Sequence, residues 1–478
     1  MPISPEKRYL LAFLGVGILA SIIFLTGLGK PALQDYDEAI YAKVVRETVS
    51  GTDPLTLKHL GNPWFEKPPL YFWLAMISSK MFGLDEFSLR LPSSLFSIAG
   101  IILIMLLAWE ITKDKFMSLV TGLMFLTMGA LIVAGRQVRL DVPVTVAIMF
   151  SFYSFLCGLK NPKWLIGIGI GVAVGIMFKS IIGFYAFPAI LIWSIIFKNF
   201  SWLKNKYFWL GGFAGLAIIL PWHLYETVKF GSAFWQEYFI HHVLGRFGEN
   251  VIGGGQAVSN WNYFKFSFLF EFPWFALFGL GLLALPTALL KTNGRKKEAL
   301  ALGCSAVFIF TVFAAAGTKL FYYTIPAIPF MALFLGLLAT DSLARAKAVH
   351  ITKYYFVIFL LLTAGFTNAL YVGFNKQKQL AVNQSISEDE RGVGRFLATK
   401  TDVEKIYAFE YDYWDTISFY SNKRSFELIK NGQNIPAGSY VVIEQQAFKK
   451  LNLPESILEN IRTDYSGNVL RLVYLKPN

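Results

Sequence analysis

Between the first two strongly apolar stretches of this chain, the segment 29–90 carries Asp35, Asp37, Glu38, Glu66 and Lys67. Carboxylates take protons and an ammonium group holds an anion, so this clustering suggests a catalytic site. The run DYDEAIYAKVVRETVSG (35–51) sets Ile40, Val44 and Val45 at helical spacing, which puts Asp37 and Glu38 at or near a helix start. Acids are also ordinary helix caps at such a place. A second segment, GNPWFEKPPLYFW (61–73), sets Glu66 and Lys67 before a rigid Pro68–Pro69 turn, and a further acid, Asp141, follows Arg139.

The elements that must position these groups are set by composition. The chain is 55% hydrophobic and 16% charged, against roughly 25% charged residues in an average soluble domain. Apolar runs of the length needed to cross a hydrocarbon core recur eleven times, at about 9–28, 91–112, 116–135, 143–159, 164–178, 181–197, 207–222, 264–290, 299–316, 324–340 and 354–372. Backbone polar groups in lipid must be satisfied internally, so these are expected to be helices. The first is expected to be a retained signal-anchor, because no A-x-A-like cleavage site follows it.

The run 70–83 decides the topology. It has only fourteen residues, follows two prolines and carries Lys80, so it is expected to lie flat at the interface. The clusters Lys7/Arg8, Lys113/Lys115, Lys160/Lys163, Lys198/Lys204/Lys206, Lys291/Arg295/Lys296/Lys297 and Arg345/Lys347/Lys353 then fall on one side. The positive-inside rule makes that side cytoplasmic. The opposite side receives the acidic loop, the turns holding Asp141 and Lys179, the loop 223–262, the turn 317–323 and the tail. The net charge of +13 comes largely from the cytoplasmic clusters and does not suggest nucleic acid. Two domains are therefore expected: a transmembrane domain at 1–372 and an extracytoplasmic α/β domain at 373–478. In the second, a helix-like stretch at 387–400 accompanies β-like runs at 405–411, 439–444 and 468–475.

Other features carry less. Cys157 and Cys304 lie in separate apolar runs and read as small buried hydrophobes. His241 and His242 with Glu66 allow a divalent metal, although adjacent histidines do not easily share one ion. The loop VIGGGQAVSN (251–260) lacks the lysine and hydroxyl of a nucleotide-binding loop and reads as a flexible lid.

Taken together, DYDEAIYA, EKPPLYFW, RLD at 139–141, HHVLGRF at 241–247 and TKLFYYTIPAIP at 318–329 resemble the bacterial GT-C glycosyltransferases. The nearest in pattern are the aminoarabinose transferases and the protein O-mannosyltransferase-like family. The resemblance covers roughly residues 1–340. It implies a polytopic α-helical fold with interfacial helices in the first outer loop. It also implies transfer of a sugar from a polyprenyl phosphate carrier to an acceptor on lipid A, a glycan or a protein at the outer membrane face.

Carried over by position, the resemblance makes Asp37 the catalytic base and Asp141 the second acid. Lys67, Lys179, Arg246 and Tyr323 become contacts to the donor phosphate, while Glu38, Glu66, His242 and Lys319 hold or orient the acceptor. Ile40 and His241 stand where relatives have Arg and Glu, which leaves the donor sugar and acceptor open. A carboxylate that removes the acceptor proton contributes roughly 10²- to 10⁴-fold, and the phosphate leaving group needs cations more than a general acid. One displacement assisted by one base inverts the anomeric centre. Plain alternatives stand beside these roles: Lys67 snorkelling to headgroups, Arg246 anchoring its loop, Tyr323 in an aromatic belt. The competing class is a transporter or lipid flippase, which would place ionisable residues near mid-bilayer instead of at helix ends on one side.

Overall fold

The computed structural model describes residues 4–476 except 35, 246–258, 286–294, 317–318, 320, 346–350, 401–402, 404, 410, 412–414, 423–424, 430–435 and 451–460. In chain order its helices are Pro5–Leu25 (α1), Asp37–Val49 (α2), Leu70–Phe82 (α3), Glu86–Thr112 (α4), Lys115–Leu126 (α5), Gly129–Gly135 (α6), Asp141–Gly158 (α7), Ile166–Lys179 (α8), Ala186–Phe197 (α9), Lys206–Phe230 (α10), Ser232–Trp235 (α11), Asn260–Phe270 (α12), Trp274–Ala284 (α13), Lys296–Ala315 (α14), Ile328–Arg345 (α15), Ile351–Ala398 (α16), Asp415–Ser421 (α17) and Gln445–Lys450 (α18). The strands are Lys58–His59 (β1), Asn62–Pro63 (β2), Lys405–Phe409 (β3), Ser425–Ile429 (β4), Tyr440–Glu444 (β5), Ile461–Ser466 (β6) and Leu470–Leu475 (β7). The chain forms two compact units: 1–26, 65–71 and 91–373 in the first, and 27–64, 72–90 and 374–478 in the second.

The first unit is apolar on its outside as well as in its core. Leu10, Leu14, Ile18 and Ile22 of α1 and Phe356 and Phe359 of α16 are exposed, while Ser93, Ser94, Ser97 and Ser151 are fully buried. The buried hydroxyls donate to backbone carbonyls, as from Ser94 to Gly135 (2.9 Å) and from Ser93 to Arg139 (2.9 Å). A broad apolar exterior, with the buried hydroxyls hydrogen-bonded inside, is a surface that faces lipid. The chain is a multi-pass membrane protein.

Among the described residues, eight helical runs are long and apolar enough to cross a membrane, or ten with two bent pairs included. The run Pro162–Phe197 is itself two helices. Ser180 has φ +48°, and the chain then doubles back so closely that a Cβ on Gly183 would lie 2.2 Å from the Ile176 nitrogen. The eleven expected apolar runs all fall on helices, against eight to ten candidate spans, and two of the runs are not the single helices that apolar length implies. α5 and α6 meet at 64°, and α12 and α13 at 106°.

These two breaks satisfy each other. The Glu271 carboxylate, in the break between α12 and α13, accepts the Ala130 N–H (3.0 Å) at the start of α6, and the Trp274 indole donates to the Thr127 hydroxyl (3.1 Å). Gly129 is required there, because a Cβ would sit 2.4 Å from the Phe270 carbonyl oxygen. Backbone freed at a break inside a membrane persists only when protein groups take it up.

The second unit holds a five-stranded mixed sheet of order β4-β3-β5-β7-β6, with β3 parallel to β4 and β5, and β7 antiparallel to β5 and β6. The expected strands correspond to β3, β5 and β7, and the helix-like stretch to the end of α16. Alternation sets the two faces: Ile406, Ala408, Tyr440, Val442 and Leu472 pack with Val393 and Leu397 of α16, while Tyr407, Val441 and Val473 face the other way. The segments 27–64 and 72–90 belong to this same unit. There β1 and β2 form a hairpin with positive φ at Leu60 and Gly61, the turn that matches strand twist. Most of α3, a shorter apolar helix of 13 residues, lies here too.

Candidate active site

In the first unit, helix ends bring opposite charges together. Asp141 is the first residue of α7 and Lys179 the last of α8, so each sits where the helix dipole favours its sign. Their side chains are 2.5 Å apart with only 5% and 13% of each exposed. Close by in the chain order of α3, Lys67 is paired with Glu66, also at 2.5 Å. Phe65 fixes that segment by packing edge-on against Phe230 (5.0 Å) and Phe234 (5.4 Å).

Glu66, Lys67, Lys179, Ser180, Tyr185, His242 and Tyr323 line one cleft of about 640 Å³, whose remaining wall is apolar and includes Ile181, Val312 and Phe313. Lys179 stands over the Tyr323 ring at 5.0 Å, and Tyr323 packs on Phe313. Arg139, two residues before Asp141, lies over the Tyr322 ring at 4.0 Å. The cleft thus joins two lysines and phenolic groups to an apolar wall, which suits an anionic headgroup on a hydrocarbon chain.

One rim of the cleft is a π-helix, Gln236–Leu244. The wider π turn puts Glu237 beneath both histidines: His242 Nε2 is 2.8 Å and His241 Nδ1 3.3 Å from its carboxylate, and His242 Nδ1 is 3.9 Å from Glu66. Sequence spacing offered no third ligand beside the two histidines, and Glu237 supplies one. The ligand atoms of Glu237, His241 and His242 lie within 4.8 Å of one another, a set whose nitrogen and oxygen chemistry fits a zinc-like cation after small side-chain shifts. Tyr238, buried in the same turn, has its phenol pushed up to about 12 by burial, tempered by a hydrogen bond with Ser180, and so remains a neutral donor.

Asp37 and Glu38 belong to the second unit, in the first turn of α2. The Glu38 carboxylate is fully buried and bound in a fork by Arg90, through Nε (2.8 Å) and Nη2 (3.1 Å), and it also accepts the Gln34 N–H (2.9 Å). Arg90 further donates to the carbonyls of Leu28 (2.9 Å), Pro31 (2.8 Å) and Ala32 (3.0 Å). Glu38 therefore shapes the loop, leaving Asp37 as the partly exposed acid. Tyr36, just before Asp37, has φ +75° and ψ −130°, a costly conformation for an aromatic residue.

Lys319 is half-buried between α14 and the turn Phe321–Ala327 and does not line the cleft. Arg246 and the three glycines at 253–255 lie outside the described residues. Sequence reasoning missed Glu237 and Arg90. The second had a signal: a lone arginine in FSLRLPSSLF, at the edge of an apolar run, calls for an internal partner.

Residues 66–225 match the profile of the family described as Dolichyl-phosphate-mannose-protein mannosyltransferase. Over 350 residues the chain is 26% identical to the undecaprenyl phosphate-alpha-4-amino-4-deoxy-L-arabinose arabinosyl transferase of Enterobacter sp. (strain 638), covering 71% of this chain and 61% of that one. The enzyme of the same description from Pseudomonas aeruginosa (strain UCBPP-PA14) is 25% identical, over 70% of this chain and 60% of its own. The chain thus spans about three-fifths of the length of these relatives. The crystal structure of ArnT from Cupriavidus metallidurans bound to undecaprenyl phosphate superimposes with a TM-score of 0.72 over 98% of both chains, at 19% identity. The fold is shared from end to end.

Proposed function

We propose that this chain is a GT-C protein of the aminoarabinose-transferase and protein O-mannosyltransferase type, and that it is a glycosyltransferase moving a sugar from a polyprenyl phosphate to an acceptor. The acceptor is a hydroxyl or phosphate on lipid A, a glycan or a protein. The observation that carries this reading is the cleft in which Lys67 and Lys179 meet Tyr323 and an apolar wall: it offers charge to a phosphate and hydrocarbon contact to an isoprenoid. The relatives act on an undecaprenyl phosphate-linked sugar by their names.

In the proposed reaction the acceptor oxygen attacks the anomeric carbon, its proton passes to the Asp37 carboxylate, and the bond to the phosphate oxygen breaks with its electron pair on the phosphate. Lys67, Lys179 and the Tyr323 hydroxyl hold that phosphate, with Arg246 as a further cation. Asp141 keeps Lys179 in place. His242 and Glu66, which line the cleft, orient the acceptor. A cation held by Glu237, His241 and His242 would add Lewis-acid charge at the rim. The reading places the protein in the inner membrane, its N-terminus cytoplasmic, with the cleft and the 373–478 domain outside, in keeping with the lysine and arginine clusters.

The test is release of free polyprenyl phosphate from a panel of polyprenyl-phosphate sugars by purified protein with membrane lipid extract as acceptor. One donor consumed by the parent, and not by Asp37→Asn or Lys67→Ala, supports the reading. Equal turnover by Asp37→Asn removes that residue as base, and no turnover of any donor by folded protein reopens the transporter alternative.

A further inference from the structure

We propose that the C-terminal domain is a positioning element for Asp37, acting through Tyr420 and Glu388 on the backbone of the segment 28–34; the inference rests on Asp37 being the base. That segment forms no helix or strand, so its polar backbone groups need other partners. Arg90 takes the carbonyls of Leu28, Pro31 and Ala32, as described. Local groups take the Lys30 N–H (Gly27 carbonyl, 3.2 Å), the Gln34 N–H (Glu38) and the Gln34 carbonyl (Ala39 N–H, 3.1 Å), and three further partners come from the tail. Glu388 accepts the Ala32 N–H (3.1 Å), Tyr420 accepts the Leu33 N–H (3.1 Å), and Arg391 donates to the Lys30 carbonyl (3.2 Å).

Tyr420 is a relay in this arrangement. Its hydroxyl receives the Leu33 N–H and passes its own proton to a hydrogen bond with Glu86 (2.7 Å), which is in turn paired with Arg391 (3.2 Å). The helix that begins with Asp37 is held by the same domain further along. The fully buried Lys43 ammonium donates to the Ser418 carbonyl (3.2 Å), the Arg46 guanidinium lies over the Phe419 ring at 4.4 Å, and His59 bonds Asp415 at 2.8 Å.

A domain that served only to choose acceptors would leave the loop's own hydrogen bonding complete without it. Here it is not complete, and the strained Tyr36 backbone immediately before Asp37 persists only where its surroundings over-determine it. The tail supplies that over-determination on one side and Arg90 on the other.

The experiment uses the full-length protein and the variants Tyr420→Phe, Glu388→Ala and Glu388→Gln, with two readouts: amide hydrogen exchange across residues 28–40 and steady-state donor turnover. Tyr420→Phe and Glu388→Ala are expected to speed exchange and to lower kcat by about tenfold or more, with KM for the donor within about twofold, because a displaced base costs rate and not donor binding. Glu388→Gln keeps an oxygen for the Ala32 N–H but gives up the charge paired with Arg391, and is expected to fall between the parent and Glu388→Ala in both readouts; a kcat as low as that of Glu388→Ala with parental exchange overturns the backbone route. Parental kcat in both Tyr420→Phe and Glu388→Ala, or a KM rise without a kcat fall, overturns the proposal. A parent that consumes no donor refutes the transferase reading instead, and parental exchange in both variants then refutes the clamp separately.

Discussion

Breaking the Asp141–Lys179 pair one side at a time, and then both, separates its structural part from its chemical one. At 2.5 Å and an effective dielectric of about 20, the two charges attract by roughly 7 kcal/mol, most of it offset by the cost of desolvating them. Removing one partner strands the other. Each stranded group is eased by its helix dipole, and Lys179 also by the Tyr323 ring at 5.0 Å. Asp141→Asn and Lys179→Met are therefore each expected to cost about 2–4 kcal/mol, at the lower end for a buried pair. The double variant leaves no stranded charge and is expected to cost about 1 kcal/mol, a coupling of about 3 kcal/mol or more. Equilibrium unfolding in mixed micelles measures all three, with donor turnover on the same preparations. The double variant is expected to regain stability while staying inactive, because the phosphate still lacks Lys179. Additive destabilisation would refute the coupling, and turnover by Lys179→Met would remove Lys179 from the phosphate site.

Three further expectations bear on the scaffold. Arg90→Lys replaces five fork-shaped donors by three at one point, leaves buried acceptors of the loop unsatisfied and is expected to cost about 1–3 kcal/mol, seen as faster proteolysis within 27–64; parental resistance would contradict the assignment of the loop to Arg90. Gly129→Ala drives a methyl into the Phe270 carbonyl and is expected to cost about 1–3 kcal/mol, whereas Gly17→Ala, with no atom within 4 Å of the added carbon, is expected to unfold like the parent. In the tail, a hydrogen bond from Arg462 holds the Asp464 carboxyl below its ordinary value of 3.8. A carboxyl lowered by folding lends stability that is present above that value and is lost as pH falls through the folded pKa. Asp464→Asn is expected to flatten the acid limb of the tail's unfolding curve below about pH 4, and an unchanged limb would count against the pair.

Apolar length alone made the spans legible, because nothing else in water or lipid explains so many runs of that size. It could not show the bends at Thr127 and Phe272, since a broken helix is as apolar as a straight one. What reveals them is Glu271 meeting Ala130 across 141 positions of sequence. The candidate site divides in the same way. Lys179 stands out as a cation at a helix end and Lys67 as one just before the Pro68–Pro69 turn, and each has its carboxylate near in space. Glu237 was hidden because the π turn places it under the histidines, where an α-helical reading of 237–242 does not. The partnership of the first outer loop with the tail was hidden too, resting on contacts such as Ala32 with Glu388 across 356 positions, with no local signal at either end.

The paired lysines bear on how such a cleft would separate ground state from transition state. A buried ammonium group without a partner is costly, so Glu66 and Asp141 are what allow two largely buried lysines to wait in the cleft. A sugar phosphodiester brings one negative charge and can displace one of these carboxylates. As its bond to the sugar breaks, the departing phosphate gains a second charge, and the second lysine can then exchange its carboxylate for the phosphate. An interaction that strengthens only as charge develops lowers the barrier without tightening the resting complex. On this argument the pairing belongs to the rate acceleration: a cleft with two unpaired lysines would hold the released polyprenyl phosphate more tightly and turn over more slowly.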